Sequence, residues 1–371
     1  MSNDNHYIVC NKPYTNKLQA YREALPQGHW PHWYFYEKEF LSHNWTEEPT
    51  ESLELLYKQR AQGIRDRYDY VICWLSGGSD SDNLIRSFLK NNLHIDEIWH
   101  RNSNKWHNRV DCGTDAENHC SELKLAFIPQ IEEYKKQYPN FKSYVHTFDV
   151  MDVSLPIWEA GSRNPYEINS YNPIVAAKEY KTICGKHPKN AKVCHVYGID
   201  KPQIQYKNKE WYLVFFDGPV LCHDVPPADA DYDQEFFYWH PAAIKLLAKQ
   251  AHIIKNFFVN NPSLLWMVTS TTKEATRCYN ELIKTLIYPD WNINQWQPEK
   301  QPNDLFTAEF FWFYNNPEHL AVKNWLATLK DYTNEIHSIY STLDSSQHNF
   351  TTIRTDFTTL PGNYSKMYRL G

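Results

Sequence analysis

Several features that define membrane, secreted and repeat proteins are missing from this sequence of 371 residues. No segment reaches the roughly 18 consecutive apolar residues that a membrane-spanning helix needs. Internal repeats and low-complexity tracts are absent, and no basic run followed by an apolar stretch resembles a secretory signal. These absences predict a cytoplasmic protein that has no membrane partner.

Closely spaced cysteines are also missing. The eight cysteines include no Cys-x-x-Cys pair and are scattered along the chain at positions 10, 73, 112, 120, 184, 194, 222 and 278. This spacing fits no standard zinc or iron–sulfur pattern, and it favours reduced, mostly buried thiols over a disulfide framework.

The chain has no excess of positive charge. Lysine and arginine number 38 against 44 aspartates and glutamates, so the formal net charge is -6. No overall field would gather a polynucleotide, although a local basic groove stays an alternative. What the chain does have is a hydrophobic fraction of 42% and an aromatic fraction of 16%, which predict order almost throughout. At about 150 residues per domain, the length predicts two or three units.

Alternating patterns in the middle of the chain predict an α/β fold. Residues 70–75 form a continuous apolar run that ends at a Gly-Gly turn, as expected for a strand buried on both faces. The further predicted elements are an amphipathic helix at 81–91, strands at 95–100, 143–148 and 191–197, and a helical region at 117–137. Strands that alternate with helices indicate a doubly wound, mostly parallel, Rossmann-like sheet.

The flanking segments have other patterns. Residues 1–68 combine aromatic clusters with a predicted helix at 50–65 and are interpreted as an N-terminal extension. After the predicted sheet domain, residues 69–218, a mainly helical C-terminal subdomain is expected over residues 219–371. The elements predicted near and after this boundary are a hairpin around residues 207–210 and helices at 241–259, 273–287 and 318–340.

A glycine- and serine-rich loop joins the first predicted strand to the next helix. Its sequence is Ser76-Gly77-Gly78-Ser79-Asp80-Ser81. Two glycines let the backbone approach an anion closely, and the N–H groups of the loop and helix start suit a pyrophosphate. The serines add hydroxyl donors. An ordinary polar turn is the alternative. The spacing differs from Gly-x-x-x-x-Gly-Lys-Ser/Thr, so the usual NTPase loop is absent.

This strand, loop and helix resemble the signature of the PP-loop superfamily, the ATP pyrophosphatases related to asparagine synthetase, GMP synthetase, NAD synthetase and tRNA-thiolating enzymes. The resemblance covers roughly residues 69 to 260 and is nearest to uncharacterised members, some of them phage-encoded, that are often labelled as phosphoadenosine phosphosulfate reductases. It implies that the loop binds ATP, that ATP is cleaved between the α and β phosphates, and that Asp80 is catalytic and binds Mg²⁺. For a phage-encoded chain the compartment would be the host cytoplasm.

A second element ends the last predicted strand of the sheet. It reads Tyr197-Gly198-Ile199-Asp200, and related enzymes carry a Gly-x-Asn/Asp/His element beside the nucleotide, so Gly198 and Asp200 are candidate nucleotide-binding residues. Lys201 follows and could stabilise charge that develops during adenylation. The alternative is a turn with a solvated lysine. Because open α/β sheets bind ligands at the carboxyl ends of strands, we expect residues 76–81, His100-Arg101 and residues 198–201 to share one cleft.

The resemblance, together with these patterns, implies an enzyme that adenylates a small-molecule or nucleotide-derived substrate for attack by a nucleophile, as in amide or amidine ligation. A sulfonucleotide reductase or sulfur-transfer enzyme is an alternative, but it needs a reactive thiol, and paired cysteines or a redox cysteine near the C-terminus are missing. A non-catalytic ATP-binding sensor or structural protein is another. The sequence does not identify the acceptor substrate, and it does not decide whether the protein forms a homo-oligomer.

Overall fold

The computed structural model describes residues 5–14, 17–102, 122–147, 188, 190–217, 231–270, 272–291, 316–320, 322–324, 327 and 363–371. Within this part of the chain, one five-stranded sheet is accompanied by two three-stranded sheets. No helix in the described ranges combines the length and the apolar character needed to cross a bilayer.

The described strands are β1 (Asn5–Val9), β2 (Lys12–Tyr14), β3 (His32–Phe35), β4 (Tyr70–Trp74), β5 (Glu97–Asn102), β6 (Lys142–Thr147), β7 (Val193–Tyr197), β8 (Gln203–Lys207), β9 (Glu210–Val214), β10 (Tyr232–Phe236) and β11 (Tyr368–Arg369). The described helices are α1 (Lys17–Ala24), α2 (Glu37–Leu41), α3 (Leu53–Arg65), α4 (Ser79–Leu89), α5 (Ile128–Gln137), α6 (Ile244–Asn260), α7 (Trp266–Thr269) and α8 (Lys273–Ile287). A π-helical turn, Glu122–Phe127, leads into α5.

The five-stranded sheet is parallel throughout and has the order β10-β7-β4-β5-β6. From β4 the chain proceeds outward through β5 to β6, then returns to the other side of β4 to form β7 and finally β10. The strand order therefore reverses between β4 and β7, whose carboxyl ends are neighbours. The predicted α/β class and the predicted parallel strands are confirmed, and so is the β8–β9 hairpin.

Strand β4 lies in the middle of this sheet and is buried on both faces. Val71 and Cys73 belong to the main core together with residues of α3 and α4, whereas Tyr70 and Ile72 belong to a second cluster with Trp99 on the opposite face. Burial on alternating sides explains why residues 70–75 form an unbroken apolar run.

Strand β10 was not predicted. Its sequence, Tyr-Asp-Gln-Glu-Phe, has polar residues in the three central positions and lies beyond residue 218, where the helical subdomain was expected. It nevertheless pairs with β7 at the edge of the central sheet, with Gln234 beside His195. Polar residues are typical of an edge strand, and the buried one, Glu235, is paired with Arg60 and Arg67.

The N-terminal segment packs against later parts of the chain through its aromatic side chains. The Phe40 ring stacks on Phe215 at 4.6 Å, and Phe35 lies 5.2 Å from Phe215 and 6.2 Å from Trp239. The Tyr7 hydroxyl donates to Asp217 at 2.8 Å. Segments 1–68, 69–218 and 219–371 thus contribute to one buried cluster. Their division into domains stays a prediction, and the helix predicted at 318–340 lies mostly outside the described residues.

A buried ion network ties α3 to β10. The Glu235 carboxylate, 6% exposed, accepts hydrogen bonds from Arg60 at 2.9 Å, Arg67 at 2.7 Å and the Tyr68 hydroxyl at 2.8 Å. Burial alone would raise the pKa of Glu235, but the guanidinium groups, chiefly that of Arg60, lower it to about 2. Because the folded pKa is below the ordinary value of 4.5, the carboxylate stabilises the fold above that value.

Replacing Glu235 by glutamine is therefore expected to lower the free energy of unfolding at pH 7 by about 3 kcal/mol. The loss should shrink as the pH falls from 4.5 towards 2, because Glu235 is then protonated in the unfolded wild-type chain while it stays charged in the folded one. Urea unfolding at pH 7 and pH 3 measures this, with the exposed Glu132→Gln on α5 as the control. An equal loss at both pH values would contradict the prediction.

Candidate functional site at the carboxyl edge of the sheet

The loop after β4 has a backbone that requires glycine. Gly77 has a φ of +81°, in the left-handed region, and a Cβ atom there would lie 2.4 Å from the Ala126 Cβ. Gly78 is the extended N-cap of α4, with φ -80° and ψ 162°. The predicted sequence of strand, glycine loop and helix is thus present.

Hydroxyl groups hold this loop closed. The Ser81 hydroxyl donates to the Gly78 carbonyl at 3.0 Å and accepts from the Ser76 N–H at 3.3 Å. The Ser76 hydroxyl accepts from the Gly78 N–H at 3.2 Å and lies 3.2 Å from the Ser81 hydroxyl. Ser79 begins α4, and its hydroxyl lies 3.5 Å from an Asp80 oxygen. The N–H groups of this first turn have no acceptor inside the helix, and they carry the positive end of its dipole.

The segment after β7 contacts the α4 loop directly. A Cβ atom on Gly198 would lie 2.8 Å from the carbonyl carbon and oxygen of Asp80 and from the Ser81 nitrogen. All three are backbone atoms, which cannot turn aside as a flexible side chain would. Glycine at this position therefore lets the two predicted motifs touch.

Lys201 and Asp80 form an ion pair across this contact. The Lys201 Nζ lies 2.8 Å from Asp80 Oδ1, 2.7 Å from Oδ2 and 3.1 Å from Asp200 Oδ1. The exposed fraction is 13% for the Lys201 side chain and 24% for that of Asp80. Burial by itself would lower the pKa of Lys201, but the two carboxylates raise it above its ordinary value. The ammonium group therefore stays charged at neutral pH.

Two tyrosines that the sequence patterns did not indicate complete the surroundings of Asp80. The Tyr288 hydroxyl donates to Asp80 Oδ1 at 2.6 Å, and the Tyr238 hydroxyl donates to the Asp80 carbonyl at 2.9 Å. Tyr238 in turn accepts from the Asn83 amide at 2.9 Å. Burial and the charge of Asp80 raise the pKa of both phenols well above the ordinary value, so both stay protonated. No local signal could have found them, because they lie 208 and 158 residues from Asp80.

His100, which was expected to face the same cleft, is buried beneath the loop. Its Nδ1 lies 2.8 Å from the Leu75 carbonyl oxygen, and its ring lies 4.6 Å from that of Phe127. His100 therefore holds the backbone at Leu75, where the chain leaves β4. The side chain of Arg101 lies outside the described part of the structure.

The oxygen atoms at this site suit a hard cation. Asp80 and Asp200 each place a carboxylate oxygen beside the Lys201 ammonium. Two negative side chains therefore surround a single positive charge. Mg²⁺ typically takes one or two carboxylates and completes its shell with phosphate and water oxygens. Within the described ranges no group of three or more His, Cys, Asp or Glu side chains is arranged to hold a metal. A cation here would thus need additional oxygens from a ligand or from water.

The described cysteines offer little support for thiol chemistry. Cys73 and Cys194 are buried, and burial raises the pKa of both thiols. Cys10 is exposed and Cys278 half-buried, while the other four cysteines lie outside the described residues.

Comparison with family models, curated proteins and solved structures finds no significant match to this chain.

Proposed function

We propose that this protein binds ATP with Mg²⁺ in the crevice between the carboxyl ends of β4 and β7 and cleaves it between the α and β phosphates. The observation that carries this proposal is the contact of Lys201 with Asp80, because it joins the two motifs that resemble the PP-loop superfamily. The reversal of strand order at β4 and β7 supports a doubly wound sheet of that kind, whose ligands bind at the reversal point.

The pyrophosphate portion of the nucleotide fits the start of α4. Backbone N–H groups of residues 79–81 and the helix dipole attract phosphate oxygens, and the left-handed Gly77 keeps side-chain atoms out of the bend. Asp80 would repel the same phosphates if it were unpaired. Lys201 and a bound cation offset that repulsion.

The reaction we propose is adenylation. An oxygen of the acceptor attacks the α phosphorus, the bond from this phosphorus to the bridging oxygen breaks, and pyrophosphate leaves with the electron pair. Lys201 places a charged donor beside the site where negative charge grows. When bound, Mg²⁺ would neutralise charge on the departing pyrophosphate. The carboxylates of Asp80 and Asp200 would hold the ion. A nucleophile then displaces AMP from the small-molecule or nucleotide-derived acceptor.

Lys201 contacts the Asp80 carboxylate oxygens that would hold a cation. Phosphate oxygens that draw the Lys201 ammonium towards the nucleotide would release Asp80 Oδ2 for the cation. Asp80 Oδ2 would then hold the cation, which would supply positive charge beside the pyrophosphate.

The products of ATP cleavage test this proposal. The protein is incubated with Mg²⁺, ATP labelled in the α phosphate, and candidate acceptors that carry a carboxylate or amide oxygen. We expect AMP or an AMP-linked product in equal amounts with pyrophosphate, and no reaction when EDTA removes the metal. ADP and orthophosphate as the products would overturn the proposal. ATP binding without any turnover would instead indicate a nucleotide sensor.

A further inference from the structure

Tyr288 brings the C-terminal segment into the candidate site. It is the first residue after α8, is only 2% exposed, and donates its hydroxyl hydrogen to Asp80 Oδ1 at 2.6 Å. Its ring lies 5.8 Å from that of Tyr238, which holds the backbone carbonyl of Asp80. Asp80 is thus held at its side chain by one tyrosine and at its main chain by another.

The two oxygens of the Asp80 carboxylate have different surroundings. Among the described contacts, Oδ1 accepts from Tyr288, from Lys201 and, at 3.5 Å, from the Ser79 hydroxyl. Oδ2 accepts from Lys201 only. Rotation of the carboxylate would break the short bond to Tyr288. The phenol therefore selects which oxygen stays fixed and which is available to an exchangeable cation.

We propose that Tyr288 is a positioning residue that orients the Asp80 carboxylate for Mg²⁺, with Oδ1 fixed by the phenol and Oδ2 presented to the metal. This inference rests on the proposed function and adds the C-terminal segment to it. Groups that orient a metal ligand typically change metal affinity by about 10- to 100-fold when they are removed. The phenol is buried, so its hydrogen bond to Asp80 is shielded from water.

Tyr57 provides a matched control. It is also buried, and its hydroxyl donates to the Ile287 carbonyl at 2.6 Å, directly beside Tyr288, and accepts from Gln250 at 2.8 Å. In the described contacts its hydroxyl does not reach Asp80. Tyr57→Phe therefore removes a buried hydroxyl that contacts the C-terminal end of α8. It leaves the hydrogen bond between Tyr288 and Asp80 in place.

The test is the affinity for Mn²⁺ in the presence of α,β-methylene ATP, measured by water proton relaxation on the full chain. We expect Tyr288→Phe to bind Mn²⁺ about 10-fold more weakly than the wild type and Tyr57→Phe to bind it nearly as the wild type does. Thermal unfolding checks that both variants fold. Equal affinity in Tyr288→Phe and the wild type would overturn the inference, as would equal weakening in both variants. Both outcomes leave the proposed function standing.

A wild-type protein that binds no Mn²⁺ with this nucleotide would remove the proposed function, and this inference with it. If Tyr288→Phe does not fold, 4-fluorophenylalanine at position 288 fills the place of the hydroxyl group but has no hydrogen to donate, whereas 4-aminophenylalanine keeps a donor beside Asp80 Oδ1. We expect the fluorinated variant to bind Mn²⁺ about 10-fold more weakly than the amino variant. Equal affinity in these two variants would overturn the inference.

Discussion

Replacing Asp80 by asparagine is expected to reduce the release of pyrophosphate by about 10²- to 10³-fold while the fold is retained. The variant keeps the size of the side chain and an oxygen that can accept from Tyr288. It loses the negative charge that pairs with Lys201 and that would bind the metal. The loss should therefore appear in catalysis and metal affinity rather than in secondary structure.

The Asp80→Asn measurement compares initial rates of pyrophosphate release at saturating ATP and increasing Mg²⁺. Asp66→Asn is the control, because Asp66 is an exposed aspartate at the end of α3. Circular dichroism and thermal unfolding establish that both variants fold. Wild-type rates in Asp80→Asn would show that this carboxylate has no part in the reaction.

Replacing Gly198 by alanine is expected to reduce activity by about 10²-fold and to lower the free energy of unfolding by about 1 to 3 kcal/mol. The added methyl group would meet the Asp80 and Ser81 backbone at 2.8 Å, and that backbone is part of the first turn of α4. The two loops must separate to relieve the overlap. Lys201, three residues further on, would then lose its short contacts with Asp80.

Gly63→Ala is the matched control for Gly198→Ala. Gly63 lies within α3, and a Cβ atom there would meet only the flexible Arg67 side chain, at an ordinary 3.7 Å. Alanine in a helix is favoured over glycine by about 1 kcal/mol, so this variant should be as stable as the wild type or more stable. Wild-type stability and activity in Gly198→Ala would contradict the close contact of the two loops.

The elements nearest to the phosphate loop could be predicted because their signals are local. An unbroken apolar run, two glycines and an amphipathic stretch lie within about twenty residues, and each reports a property of its own strand, turn or helix. The β8–β9 hairpin was predicted for the same reason, since its two strands are joined by a tight turn at residues 208 and 209. The meeting of the two motifs followed from a general rule for parallel sheets.

Other parts of the structure gave no such signal. Strand β10 is polar at its centre, so its sequence lacks the apolar run of the inner strands. The aromatic residues of the first 68 positions could not be assigned a partner, because aromatic side chains pack in many environments. Their contacts with Phe215 and Trp239 depend on the path of the whole chain.

The sequence by itself determined the central strand, the glycine loop and the helix that follows, together with the residues Asp80, Gly198 and Lys201 as candidates. Only the tertiary structure decided that Lys201 holds Asp80 from 121 residues away and that Tyr288 holds the same carboxylate from 208 residues away. Periodicity reports which face of an element is buried, but it contains no information about which distant element covers that face. In this protein the reversal of strand order beside β4, and the position of the C-terminal end of α8, place those groups around one aspartate.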